Sequence, residues 1–219
     1  MDIPIREIIS KGSGWSDHTE VENARFLLLY VAKFDDGLKA HSERVAAAVE
    51  RAWGPADTGP ISAAMLHDLV EDTEVTMDDI SLGFSPAVAA SVNALTRREG
   101  EGYTAYIDRV AKDPVASLVK TADIQDHLDP RFEGTLPSES YRRRCARALA
   151  RLTAVDVLLS QTLHKAGADG LMDTDAGCGC VIGDLFPCRC PNLTGCVAAV
   201  RREGPEGSTF VPLTQDNDL

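Results

Sequence analysis

The chain has 219 residues, of which 44% are hydrophobic and 26% charged, and its formal net charge is -12. This length and composition are typical of one soluble domain of ordinary size with a hydrophobic core, together with a small additional segment. No apolar run reaches the roughly 20 residues of a membrane-spanning helix. The acidic balance excludes a general affinity for nucleic acid, which requires an excess of Lys and Arg on one face. The start, MDIPIREIISKG, lacks the pattern of an export signal, so we expect a cytoplasmic protein.

Apolar spacing predicts a series of helices over the first 165 residues. A capping-box pattern at Thr76 and Asp79 and a Ser85-Pro86 boundary mark two helix starts. Strand patterns are nearly absent here, so we expect an all-α domain. Its helices are expected at 21–33, at 38–53, from Pro60 to about Asp72, and then at 86–98, 103–111, 114–127 and 138–165.

The stretch ISAAMLHDLVEDTEVTMDDI, residues 61–80, contains six acidic side chains and a histidine. Its apolar residues recur at helical spacing, so His67 stacks under Glu71, and Asp68 under Asp72, if the helix persists. Carboxylates this close repel one another unless a cation or protons lie among them. The pattern therefore predicts a divalent metal site, with Glu71 and Asp72 at a rim that water can reach.

The last part of the chain is Cys-rich. Two Cys-x-Cys pairs and a fifth cysteine favour a structural zinc site, with disulfides or free thiols as alternatives, and the residues are Cys178, Cys180, Cys188, Cys190 and Cys196. A hairpin is expected over 197–212, turning at 204–207. We therefore divide the chain into a helical domain, 1–165, and a small Cys-rich irregular or β extension, 166–219. An appended zinc module used for dimerisation is a further interpretation of this extension.

Over roughly residues 20–165 the chain resembles the HD-domain phosphohydrolases, and more narrowly the hydrolases of the RelA/SpoT group and their small stand-alone relatives. The resemblance lies in HDLVEDTEVTMDDI and in ALTRREGEGYTAYIDRVAKDPVASLVKTADIQDHLD. These contain a His-Asp pair, then Glu-Asp, then Lys-x-Ala-Asp, in the family's order. The resemblance implies an all-α HD-domain helical bundle and one divalent ion, most often manganese, held by His41, His67, Asp68 and Asp123.

The resemblance also implies roles for residues around the ion. In the family, the Glu-Asp pair positions and deprotonates a metal-associated water that attacks a 3′-pyrophosphate, and carried over this pair is Glu71 and Asp72. Lys120 would hold phosphate, and tyrosines would stack on the nucleotide or bond to it. Arg144 belongs to a run of arginines that either forms a solvated face or reaches an anion. The expected substrate contacts are Lys120, Tyr103, Tyr106, Tyr141, His127 and Arg144.

Two departures from the family pattern concern the substrate. The segment before the first histidine is the short FDDGLKAHSERVA, without the usual proline and much of the positive charge, and His127 stands where asparagine is common. We expect a metal-dependent phosphohydrolase acting on a nucleotide, with (p)ppGpp first and another nucleotide or a phosphorylated dinucleotide as the alternative. A non-catalytic nucleotide-sensing or partner-binding module is the rival outside the enzymes. Whether the chain forms homo-oligomers stays open.

Overall fold

The structure is a computed structural model that describes residues 5–11, 15, 18–133, 137–173, 178–185, 195–204 and 207–213. Within these residues the chain is mostly helical and ends in four short strands, which confirms the expected helical class. The helices are α1 Ile5–Lys11, α2 Glu20–Val31, α3 Asp36–Trp53, α4 Gly59–Leu66, α5 Leu69–Asp72, α6 Met77–Gly83, α7 Pro86–Leu95, α8 Tyr103–Val110, α9 Pro114–Leu128, α10 Pro130–Glu133, α11 Glu139–Leu152 and α12 Val155–Lys165. The strands are β1 Gly170–Asp173, β2 Cys178–Val181, β3 Cys196–Gly204 and β4 Gly207–Pro212.

Local chemistry fixes several helix starts. At α6 the side chain of Thr76 accepts from the backbone of Asp79, whose carboxylate accepts in return from the backbone of Thr76, so the predicted capping box is confirmed. Ser85 caps α7, with Pro86 in its first turn. Each cap satisfies backbone N–H groups that have no partner inside the helix.

The central helix is interrupted, although we expected it to continue to about Asp72. His67 and Asp68 form a turn between α4 and α5. The Nδ1 atom of His67 donates to the carbonyl oxygen of Ala64 at 2.8 Å. In an unbroken helix that oxygen would accept from the backbone of Asp68, so the imidazole competes with the helical bond. The break turns the His67 side chain towards the middle of the fold.

The prediction of one helix over 138–165 is wrong, because α11 and α12 are separate helices. The hydroxyl of Thr153 donates to the carbonyl four residues earlier, and Ala154 adopts an extended conformation. Four residues after the buried Leu152, an unbroken helix would place an aspartate on the inner face. The break instead turns Val157 inward, where it is buried.

Helix α4 is the centre of the main core. All of its residues from Pro60 to Leu66 are buried, and it packs against α2, α3, α7 and α9. A helix that is apolar on every side is stable only when neighbours surround it. This packing brings α3 and α9 to the C-terminal end of α4, where the polar residues of the site begin. None of the described helices is both long enough and apolar enough to cross a lipid bilayer.

The strands form one antiparallel sheet in the order β2-β1-β3-β4. The expected hairpin is β3 with β4, in which Gly204 pairs with Gly207, and its residues 205–206 lie outside the described part of the chain. A second hydrophobic cluster joins α12 to the sheet through Leu163 and Leu171. The side chains of β1 thus pack on the end of the last helix.

Candidate metal centre and active site

Three helices bring a cluster of histidines and carboxylates together. His41 lies on α3, His67 follows α4 and Asp123 lies on α9, and all three are buried. The Nε2 atom of His41 lies 3.2 Å from Nε2 of His67 and 3.1 Å from Oδ1 of Asp123. Oδ2 of Asp68 lies 3.0 Å from Nε2 of His67. Three of the four residues expected from the sequence, His41, His67 and Asp123, therefore form one group whose ligand atoms lie within 4.8 Å of one another, and Asp68 lies beside it.

The outward bonds of the two imidazoles fix their tautomers. Nδ1 of His67 donates to the Ala64 carbonyl, which can only accept. Nδ1 of His41 lies 2.8 Å from Oδ2 of Asp126, a carboxylate that accepts in the same way. In the neutral form of each ring, Nε2 therefore directs a lone pair at the centre, which is the arrangement that a metal-binding histidine requires.

An unsatisfied oxygen at the centre also points to a cation. Oδ1 of Asp123 is buried and makes no hydrogen bond to any described residue, although Nε2 of His41 is close to it. Two lone pairs that face each other at this distance repel unless a cation lies between them. Ligand atoms about 2.1 Å from a shared ion, and at right angles to one another, lie about 3 Å apart. The distances and the donor atoms fit a divalent metal ion.

Electrostatics favours positive charge at this point. Burial opposes charge on Asp123, yet the Lys120 ammonium, 2.7 Å from Oδ2 of Asp123, holds the pKa of that carboxyl well below its ordinary value. Burial likewise lowers the pKa of His67, but the negative charges of Asp68 and Asp123 outweigh it and raise that pKa to about 10. The centre therefore attracts a proton or a metal ion.

Two residues behind His41 were missed in the sequence. Arg44 donates from Nε and Nη2 to the two oxygens of Asp126, at 2.8 and 2.7 Å, and Asp126 in turn accepts from His41. This bidentate pair fixes the carboxylate and so the ring of His41. The signal was helical spacing, because Asp126 lies three residues after Asp123 and Arg44 three residues after His41.

His127 lies beside the centre. Its Nε2 atom is 3.2 Å from Oδ1 of Asp123, and its ring centroid is 4.5 Å from that of His41. The position where the family commonly has asparagine thus provides a further nitrogen near the metal ligands. It can serve as another ligand or contact the substrate.

The two residues of the acidic pair after the His-Asp motif, Glu71 and Asp72, have different surroundings. Partial burial, followed by the charge of Asp68, raises the pKa of Asp72, which places Asp72 in the field of the centre. The carboxylate of Glu71 instead accepts from the backbone N–H of Arg97 at 2.7 Å. Glu71 therefore binds the connection between α7 and α8, while the charges of Asp68 and His67 act on Asp72.

The expected substrate-contacting tyrosines lie in different surroundings. The guanidinium of Arg144 lies 5.0 Å from the ring centroids of both Tyr103 and Tyr141, so these three side chains form one group. Tyr106 is buried, and its hydroxyl donates to the carbonyl of Leu95 at 2.5 Å. Burial raises the pKa of Tyr106 to about 12, so its hydroxyl stays protonated. Tyr106 supports the wall of the site from within the core.

The cysteines of the extension are described in part. Cys178 and Cys196 both pair with Asp173 of the central strand, from its two sides. They are two strands apart, about 10 Å, which is too far for a disulfide between them. Cys180 is buried on β2, and the described cysteines form no group of three metal-binding side chains. Cys188 and Cys190 lie outside the described residues, so the zinc site stays a prediction.

Comparisons with known proteins point to one group of enzymes. The chain is 36% identical over 77 residues, 33% of this chain and 43% of the relative, to the guanosine-3′,5′-bis(diphosphate) 3′-pyrophosphohydrolase MESH1 of Drosophila melanogaster. It is 34% identical over 80 residues, 33% of this chain and 12% of the relative, to the guanosine-3′,5′-bis(diphosphate) 3′-pyrophosphohydrolase of Aquifex aeolicus. A probable GTP pyrophosphokinase of Mycobacterium leprae is 32% identical over 103 residues, 42% of this chain and 13% of that protein. The matches thus span less than half of each of these relatives.

A solved structure shares the fold. A metazoan orthologue of SpoT that hydrolyses ppGpp superposes with a TM-score of 0.52 at 21% identity, over 66% of this chain and 93% of that one. No family model matches the chain. In sequence over about a third of its length, and in fold over about two thirds, the chain resembles the HD-domain hydrolases of the RelA/SpoT type.

Proposed function

We propose that this chain is a metal-dependent phosphohydrolase that removes the 3′-pyrophosphate from a (p)ppGpp-type nucleotide. The observation on which this rests is the buried group of His41, His67 and Asp123, in which one carboxylate oxygen has no hydrogen-bond partner among the described residues. The substrate class is supported by two relatives that are named as 3′-pyrophosphohydrolases. It is also supported by the solved structure of the same fold, whose protein is described as hydrolysing ppGpp.

In this proposal His41, His67, Asp68 and Asp123 hold the ion, which we take to be manganese. When bound, such an ion lowers the pKa of a coordinated water and neutralises phosphate charge. The binding geometry comes from the chain itself, because hydrogen bonds to Ala64 and Asp126 hold both imidazoles with Nε2 turned inward. The ligands are therefore arranged before the ion arrives.

The proton of the attacking water passes to Asp72 in this proposal. A carboxylate with a raised pKa is a stronger base than an ordinary one, and burial together with the charge of Asp68 raises the pKa of Asp72. Glu71 has a supporting role, because its carboxylate accepts from the backbone N–H of Arg97 and so fixes the connection between α7 and α8 at the edge of the site. Lys120 presents positive charge next to Asp123, where a phosphate oxygen can share it.

A nucleotide panel tests this function directly. The purified chain is incubated with MnCl₂ and each nucleotide, and the released anion is identified by ion chromatography. We expect inorganic pyrophosphate and GDP from ppGpp, and no release from the Asp72→Asn variant. Orthophosphate from a different nucleotide would establish another phosphohydrolase, and no turnover of any nucleotide would establish a non-catalytic sensing module.

One observation favours the other nucleotide substrates as the second candidate. Only residues 32–35 connect α2 with α3, the helix that bears His41. A connection this short offers few groups for recognising a base, whereas the metal ligands and the acidic pair are present. A phosphorylated nucleotide without guanine could therefore be hydrolysed by the same residues. The nucleotide panel distinguishes this substrate from a (p)ppGpp-type nucleotide.

A further inference from the structure

A cavity lined by arginines lies near the proposed metal centre. A cavity of about 360 Å³ opens between α8 and α11, with Tyr103 at one side and Arg144, Arg147 and Arg151 along the other. The three arginines follow one another at intervals of three and four residues, so they lie on one face of α11. We name this feature the arginine cavity.

The arginine cavity is positively charged in a chain of net charge -12. Asp108 is the one acidic residue among the residues that line it, and it binds Arg151, with 3.2 Å between the Arg151 Nε and the carboxylate. Arg147 is exposed and makes no ion pair with any described residue. Arg151 also lies 3.3 Å from Asp156, so three guanidinium groups face two carboxylates. Arg144 and Arg147 form no ion pair with a described residue and are available to a phosphate group.

One guanidinium is already held in position for a ligand. Arg144 lies between the rings of Tyr103 and Tyr141, at 5.0 Å from each centroid. Stacking of this kind reduces the freedom of the side chain without using its N–H donors. The planar group can therefore donate two parallel hydrogen bonds to a phosphate.

Close contacts connect the arginine cavity to the metal centre. Lys120 pairs with Asp123 and lies 5.5 Å from the ring of Tyr106, and the rings of Tyr106 and Tyr103 are 6.1 Å apart. Tyr103 in turn contacts Arg144 in the cavity. A nucleotide with anionic groups at both ends of its ribose can thus place one at each site.

We propose that Arg144, Arg147 and Arg151 bind the 5′-diphosphate of the nucleotide whose 3′-pyrophosphate is cleaved at the metal centre. This inference rests on the proposed function, since it assigns the far end of the same substrate. It makes the arginine cavity the determinant that distinguishes 5′-phosphorylated nucleotides from those with a free 5′-hydroxyl.

Binding without turnover provides the first test. GDP, which has the 5′-diphosphate and no 3′-pyrophosphate, is titrated calorimetrically into the full chain in EDTA. We expect Arg147→Gln to weaken GDP binding about tenfold, the loss of one charge-assisted contact. Arg142→Gln is the matched control, because Arg142 is exposed on the same helix outside the cavity lining and the charge change is identical. Equal effects of the two variants, or no binding to the wild type, would overturn the proposal.

Inorganic pyrophosphate separates a nucleotide site from a general phosphate site. We expect it to bind more weakly than GDP, because it lacks the nucleoside that reaches towards Tyr103. Equal affinity of the two ligands, with equal loss in Arg147→Gln, would overturn the assignment to the 5′ end of a nucleotide.

Kinetics separates this inference from the proposed function. For ppGpp we expect Arg147→Gln to raise KM about tenfold with little change in kcat, as for lost uniform binding. For guanosine 3′-diphosphate, which has a free 5′-hydroxyl, the variant and the wild type should have the same KM. Normal ppGpp turnover with an unchanged KM in Arg147→Gln would overturn the arginine cavity alone. Absent turnover with Arg147-dependent GDP binding would overturn the proposed function and support the cavity.

Discussion

Nδ1 of His41 lies 2.8 Å from Oδ2 of Asp126, a residue on a different helix. Arg44 binds both oxygens of that carboxylate, so the position of the imidazole depends on a pair that does not itself reach the metal centre. Such outer partners orient a ligand and make its nitrogen more basic. The ion pair thus links the metal site to the surface between α3 and α9.

Breaking this pair should weaken metal binding. We expect Asp126→Asn and Arg44→Gln each to reduce manganese affinity about 10- to 100-fold, the usual effect of removing an outer partner of a metal-binding histidine. Titration followed by electron paramagnetic resonance of free manganese measures this. The control is Arg51→Gln, an exposed arginine on the same helix. Unchanged affinity in Asp126→Asn would show that His41 needs no support from this side.

Metal binding should release a proton. The pKa of His67 is raised to about 10, so its imidazole is protonated at neutral pH until an ion displaces that proton. A raised pKa favours the protonated form below that value, so apparent manganese affinity should fall about tenfold for each unit that pH decreases. Calorimetry at pH 7 in buffers of different ionisation enthalpy should show about one proton released per ion. A buffer-independent enthalpy would contradict this.

The sequence predicts the residues that spacing or motif order identifies. His67 and Asp68 stand beside the acidic pair in one short stretch, and resemblance to a family supplied His41 and Asp123. The helical class followed from apolar periodicity, which depends only on which residues face the core. These features are local or ordered along the chain, and so they can be recognised without coordinates.

The structural features that the sequence does not predict depend on contacts between residues far apart in the chain. The pairing of Arg44 with Asp126 joins two residues on different helices that are 82 positions apart in the chain. The break at Thr153 was missed because the residue on either side is a good helix former, and the turn is decided by which face packs inward. The hydroxyl of Tyr106, a residue for which we predict substrate contact, donates to a backbone carbonyl in the core. Only tertiary packing determines these three features.

The two members of the acidic pair should respond differently to substitution. Asp72→Asn removes the proposed base, so we expect kcat to fall about a hundred- to ten-thousandfold while manganese affinity is retained. Glu71→Gln keeps an oxygen that can accept from the backbone of Arg97, so its loss in kcat should be smaller. Single-turnover assays with ppGpp at saturating manganese measure both. A larger effect of Glu71→Gln would reverse the assignment of the base.

The pH profile should report Asp72. Because its pKa lies above that of an ordinary aspartate, kcat should begin to fall at a higher pH on the acidic side than an unperturbed carboxylate would give. Glu71→Gln should leave this limb in place. The assays use saturating manganese, so that the pH dependence of metal binding does not contribute to the profile. An acidic limb that persists in Asp72→Asn would contradict the assignment of Asp72 as the base.

Lys120 should affect metal and substrate in opposite directions. Its ammonium neutralises Asp123 from the side away from the proposed ion, so Lys120→Met removes a positive charge that repels the metal. We expect manganese affinity to rise severalfold and KM for ppGpp to increase about tenfold, since a charged contact to phosphate is lost. Lys112→Met, at an exposed lysine, is the control. General misfolding would weaken both interactions, so a parallel loss of manganese and ppGpp binding would refute this role for Lys120.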